Sequence, residues 1–149
     1  MIRVTSRLGS FALLILVAVV VVPAVDGLTR SSYAADESQE QQKEANKAAK
    51  QAEKGFDELD KVDEKLTEGK SESAANHFEA AVKHFRKALE YLAESTLSDT
   101  EKEGLKKLEK GTDEIVKAAN ALDKGNLDEA QKHYDKAMEL LDAGMDLLP

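Results

Sequence analysis

Apolar residues recur along most of this chain at helical spacing, in four stripes separated by short polar breaks. The first reads Ala45, Ala48, Ala52, Phe56, Leu59, Val62, Leu66, and the second Phe78, Ala81, Val82, Phe85, Ala88, Leu89, Leu92. The third reads Leu105, Leu108, Ile115, Ala118, Ala119, Leu122, and the fourth Leu127, Ala130, Tyr134, Ala137, Met138, Leu141, Met145, Leu148. Lysine and glutamate fill the opposite sides, and no segment alternates as a half-buried strand would. Gly69 and Gly125 are placed to take the left-handed conformation that ends a helix. Asn126 can cap the helix after it, with Glu129 three residues on, and Ser98-Asp99-Thr100-Glu101 has the form of a capping box. The pattern predicts helices at 37–68, 72–96, 99–124 and 127–147. The segment Glu37 to Lys54 offers only alanine to a neighbour, which predicts fraying there.

The N-terminus follows a different rule. Met1 to Arg7 carries two arginines and no acid, Leu8 to Val22 is uncharged, and Pro23 ends the run. Ser32-Tyr33-Ala34-Ala35 then offers small residues for cleavage after Ala34. Positive start, short apolar middle and small-residue exit are the marks of a secretory signal, giving a signal peptide at 1–34 and a four-helix domain at 35–149. The alternative is an uncleaved N-terminal anchor; a full span wants roughly 20 apolar residues, and Pro23 interrupts the run. The expected location is therefore periplasmic or secreted.

Composition supports long helices: between Asp36 and Leu148 there is no proline or tryptophan, and Ala, Glu, Lys, Leu and Asp dominate. The formal net charge is −8. Without residues 1–34, Lys+Arg falls to 18 and Asp+Glu to 28, a net charge of −10. Such a chain has no basic stripe for phosphates, so nucleic acid is not an expected partner; divalent cations or another protein, a basic one above all, fit better. With no cysteine there are no disulfides and no thiolate metal site, and the core must hold by packing.

The chain also resembles itself. Glu53-Lys54-Gly55-Phe56-Asp57-Glu58-Leu59 returns as Glu109-Lys110-Gly111-Thr112-Asp113-Glu114-Ile115, at a shift of 56 residues. Ala81-Val82-Lys83-His84-Phe85 and its continuation to Glu90 return as Ala130-Gln131-Lys132-His133-Tyr134 and on to Glu139, at a shift of 49. The difference implies seven extra residues in the first copy, near Lys70 to Asn76. Two copies of one hairpin, about 37–96 and 99–148, predict an all-α fold: an antiparallel four-helix bundle built from two duplicated helical hairpins.

Two resemblances follow from these residues. Asn76-His77-Phe78-Glu79-Ala80-Ala81 with Phe85 and Ala88-Leu89-Glu90, and Gly125-Asn126-Leu127-Asp128-Glu129-Ala130 with Tyr134 and Ala137-Met138-Glu139, resemble the second helix of a tetratricopeptide repeat. The first helices lack that family's Trp-Leu-Gly-Tyr set. The resemblance implies a protein-binding scaffold. The duplicated hairpin, with Gly125, Ala130-Gln131-Lys132-His133, Ala137, Glu139 and Leu141, is also similar to the small exported four-helix metal-binding proteins of the SmbP type. That likeness implies metal sites built from histidine, of which this chain has three.

The candidate chemistry is correspondingly narrow. His84 and His133 match at the 49-residue shift and can form a pair for Cu(II), Ni(II) or Zn(II), with His77 one heptad before His84 and Glu129 one turn before His133. The Glu-x-x-His pattern of di-iron bundles is absent, because Ala74, Ala81 and Ala130 stand three residues before the histidines. Asp57, Glu58, Asp60, Asp63 and Glu64 form an acidic run without the loop pattern of a calcium site. No nucleophile elbow, haem-attachment motif or glycine-rich phosphate loop occurs, so an enzyme is not expected and no cofactor is required. Two readings remain: an exported, non-enzymatic interaction protein with tetratricopeptide-like hairpins, or a periplasmic protein that binds or buffers divalent metal.

Overall fold

A computed structural model describes residues 31–95 and 97–148. They form four helices and no strand: α1 Ser31–Thr67, α2 Ser71–Ala93, α3 Asp99–Asp123 and α4 Leu127–Met145. Of the signal peptide expected at 1–34, residues 1–30 lie outside the described residues, and the expected exit after Ala34 falls at the start of α1. Among the described residues no helix is long and apolar enough to cross a membrane.

Local chemistry sets the boundaries. The Ser98 hydroxyl accepts the Glu101 N–H at 3.3 Å, and the Glu101 carboxylate accepts the Ser98 N–H at 2.7 Å, closing the predicted capping box. Asn126 Oδ1 accepts the Glu129 N–H at 3.3 Å, as the sequence indicates. Gly69 and Gly125 have φ of 72° and 74°. In each turn the next residue's N–H reaches back five positions, Lys70 to Lys65 at 2.8 Å and Asn126 to Ala121 at 2.9 Å. Both α1 and α3 therefore end in the same Schellman turn. Two boundaries differ from expectation by more than two residues. α1 begins six residues early and is helical through the alanine-only segment, where Ala48 and Ala52 are buried; α2 stops three residues short, at Ala93.

The matching turns correct the register inferred from sequence. α2 starts two residues after Gly69 and α4 two residues after Gly125, so no seven-residue insertion lies at 70–76. Contacts across the two hairpins then correspond at a constant shift of 56. Glu58 meets His77, and Glu114 meets His133, each pair 19 residues apart. The 49-residue match reflects alanine (Ala74, Ala81, Ala88) and phenylalanine (Phe78, Phe85) recurring every two helical turns, which lets a helix sequence align with itself one heptad out of place.

Neighbours in sequence are neighbours in space: α1 packs on α2, α2 on α3, and α3 on α4. Among the described residues no Cα of α1 comes within 8 Å of a Cα of α4. The predicted stripes form the core, with Phe78, Ile115, Leu141 and Val62 fully enclosed. Leu127 departs from the pattern, since it opens α4 and is 55% exposed. Phe78 and Tyr134 meet edge to face across the bundle, ring centroids 5.4 Å apart.

Within the hairpins, glycine sets the spacing. A Cβ on Gly55 would lie 2.8 Å from the Phe85 ring, and one on Gly111 would lie 2.9 Å from Leu141. Gly104 and Gly144 face one another so closely that a Cβ on Gly104 would stand 2.8 Å from the Gly144 carbonyl oxygen. A backbone atom cannot rotate away as a flexible side chain can. In an open helix Gly→Ala gains about 1 kcal/mol; here Gly104→Ala is expected to lose stability, by about 1–3 kcal/mol of overpacking. Urea unfolding of the variant measures the sign.

Candidate functional site

Glu114 is charged and yet only 4% exposed. It precedes Ile115 on the face of α3 that meets α4, so the apolar stripe carries it into the hairpin. Its carboxylate is satisfied from three sides. His133 Nδ1 lies 2.6 Å from one oxygen, and Lys117 Nζ and Lys136 Nζ lie 2.8 and 2.9 Å from the other. Lys117, then Lys136 and His133, hold the carboxyl down at about 2, against the opposing push of burial. Hairpin one carries a simpler version: Glu58 receives Lys61 Nζ at 2.6 Å and His77 Nδ1 at 2.7 Å, and both lower its pKa. A second rung joins His84 Nδ1 to Gln51 Oε1 at 2.9 Å.

These contacts assign the imidazoles. Each Nδ1 faces an oxygen acceptor, so it carries a proton, and each neutral ring keeps its lone pair on Nε2. His84 and His133, paired by the 49-residue match, belong to different hairpins and different kinds of rung; the equivalent pair is His77 and His133. Glu129 Oε1 stands 3.9 Å from His133 Nε2, which brings that predicted pair together. No three His, Asp or Glu side chains among the described residues gather in a group that could hold a metal ion. His77 and His84 lie two turns apart on α2, too far to share one ion.

A second feature lies between the hairpins. The Tyr134 hydroxyl donates to Asp63 Oδ2 at 3.3 Å, joining α4 to α1 where their backbones stay apart. Burial raises the Asp63 pKa, the Tyr134 hydrogen bond opposes it, and Asp60 and Asp135 add repulsion. Tyr134 is pushed well above the phenol range by burial and by Asp63. The ion pairs of Glu58 and Glu114, by contrast, lie inside one hairpin.

Sequence reasoning named His77, His84, His133 and Glu129 but missed Glu114, Glu58 and the Asp63–Tyr134 contact. A signal for the first two existed. Glu58 and Glu114 both directly precede a core residue, Leu59 or Ile115, within the repeated Asp-Glu-Leu/Ile segment. Asp63 had none, because only the packing of α1 beside α4 separates it from the other acids of its run. Set against family models, curated proteins and solved structures, the chain matches none of them. The likenesses to tetratricopeptide and SmbP-type proteins therefore rest on the residues quoted for them.

Two outcomes follow from this geometry. Glu114→Gln is expected to cost about 1–3 kcal/mol, because the buried site loses a charge that three donors share; Glu58→Gln, more exposed and with two donors, is expected to cost less. Because the folded pKa of Glu114 lies below its ordinary 4.5, its stabilisation is complete above that value. It is lost as pH falls toward about 2. Urea midpoints measured between those limits should fall more steeply for the parent protein than for Glu114→Gln.

Proposed function

We propose that this chain is an exported, non-enzymatic interaction protein, built from two copies of one helical hairpin, that binds a partner between the hairpins. One observation carries the reading: α1 and α4 meet through the Asp63 and Tyr134 side chains with no Cα pair within 8 Å, leaving a lateral seam that the other neighbouring helices, whose Cα atoms come within 8 Å, do not have. The hairpins are internally clamped by the Glu58 and Glu114 ion pairs, so each can act as a rigid wall. The repeated alternation of alanine and aromatic residues along α2 and α4 suits a scaffold of the tetratricopeptide kind.

A photo-crosslinking residue at Met138, half-buried on α4, tests this in the exported fraction. The expected result is a discrete adduct with a second protein, absent when the same residue replaces Asn120 on the exposed side of α3. Adducts equal at both positions, or none at Met138, would sink the reading.

The metal-binding reading keeps one specific support, the Glu129 carboxylate beside the free Nε2 of His133, with Glu114 fixing the ring from behind. On that reading Cu(II) or Ni(II) binds the protein with micromolar affinity, and His133→Ala weakens it at least tenfold while His84→Ala does not. Calorimetric titration decides; heat no greater than that of the His77, His84, His133 triple-alanine variant would remove this reading.

A further inference from the structure

The apolar residues bordering the α1–α4 seam are not sealed. On α4, Leu127, Met138 and Met145 stand seven residues before, four after and eleven after Tyr134, which puts them on its stripe. Leu127 is 55% exposed, and Met138 and Met145 are only partly buried. On α1, Leu66 stands three after Asp63 and is partly buried, whereas the Phe56 ring packs edge to face on Phe85 of α2. Leu127 is the one exposed large hydrophobic among the described residues, and it shares the stripe of Tyr134. From Leu127 to Met145 the stripe runs about 27 Å, or five helical turns.

The charges that act on the Tyr134 hydroxyl in this stripe are of one sign. Asp60 and Asp63 on α1 and Asp135 on α4 act together on the Tyr134 hydroxyl, and the chain as a whole carries −8. Of the lysines nearest these acids, Lys61 is tied to Glu58 and Lys136 to Glu114. A partly open apolar strip of that length, with carboxylates beside it, fits an amphipathic helix better than an extended peptide, since no sheet edge occurs among the described residues to pair one. Methionine at two positions suits a surface that must adapt to its occupant.

We propose that the α1–α4 seam receives an amphipathic helix of a partner protein, apolar side inward and lysine or arginine along its flanks. This rests on the proposed binding role and specifies the partner's chemistry. The helix lies along Leu127, Met138 and Met145, its basic flanks facing Asp60, Asp63 and Asp135.

The test uses the full-length chain with two synthetic helices of five turns and the same leucine pattern, one flanked by lysine and one by glutamate. The lysine peptide is expected to bind at least tenfold more tightly by calorimetry, with affinity falling as salt is raised. Leu127→Glu with Met138→Glu makes the protein more acidic, so undirected attraction to a basic peptide would rise; the proposal requires a loss of at least tenfold. Asn120→Glu, which adds charge on an exposed part of α3, should leave affinity within twofold. Should the double variant unfold, Asp60→Asn with Asp135→Asn, both exposed, is the second arm, expected to weaken binding and flatten its salt dependence. Equal affinity for the two peptides, no binding of either, or seam variants that bind like the parent would overturn the proposal. So would a dimer in sedimentation that Leu127→Glu dissociates, since a second copy would then be the occupant. A Met138 adduct from the exported fraction alongside failed peptide binding would leave the binding role standing and reject only the helical, basic partner.

Discussion

Two helices can approach only as far as the side chains between them permit, and this bundle is organised by where that limit is removed. Gly55, Gly111 and the facing pair Gly104 and Gly144 have no Cβ at the points where α1 meets α2 and α3 meets α4. Phe85 and Leu141 fill the space that the first two leave. That close approach brings Glu58 and Glu114 within hydrogen-bond reach of the helix opposite, so the polar clamps of each hairpin depend on its glycines. Pulled apart by one methyl group, the same residues would form a looser pair with its carboxylates in water.

Burying Glu114 sets a condition that the neighbouring residues meet. A carboxylate taken from water is costly unless its oxygens are matched by donors. Lys117 arrives from the next turn of α3, and His133 and Lys136 arrive from one turn of α4. The lysines keep their ammonium groups near solvent while their stems cross apolar surface. The result fixes the rotation of α4 against α3, because a slip of one residue would carry both His133 and Lys136 away from the carboxylate. Hairpin one has the same geometry with one donor fewer, since Ala80 stands 56 residues before Lys136.

With charge and close packing settled inside the hairpins, the surface between α1 and α4 is under less constraint. Fifty-six residues after Asp63 stands Ala119, buried in α3. α2 and α3 bring their Cα atoms within 8 Å, whereas α1 and α4 do not, and there Asp63 meets the Tyr134 hydroxyl. The bundle thereby has one tight and one open lateral side from two hairpins of like construction, and the proposed binding role falls on the open one.

The spacing of apolar residues was enough to place all four helices, most of the core and the caps at Ser98 and Asn126, because helix periodicity and end chemistry are local properties of a few consecutive residues. The histidines could be named from the chain but not paired: a heptad-spaced helix matches itself at several offsets, and only the position of two identical glycine turns selected 56 over 49. Partners such as Gln51 for His84, or Asp63 for Tyr134, are 33 and 71 residues apart, and no local rule relates residues at such distances. Whether a given glutamate on a stripe's edge is solvated or enclosed depends on how near the next helix comes. That distance is set by side chains on both helices at once, so it belongs to the tertiary structure and not to either segment alone.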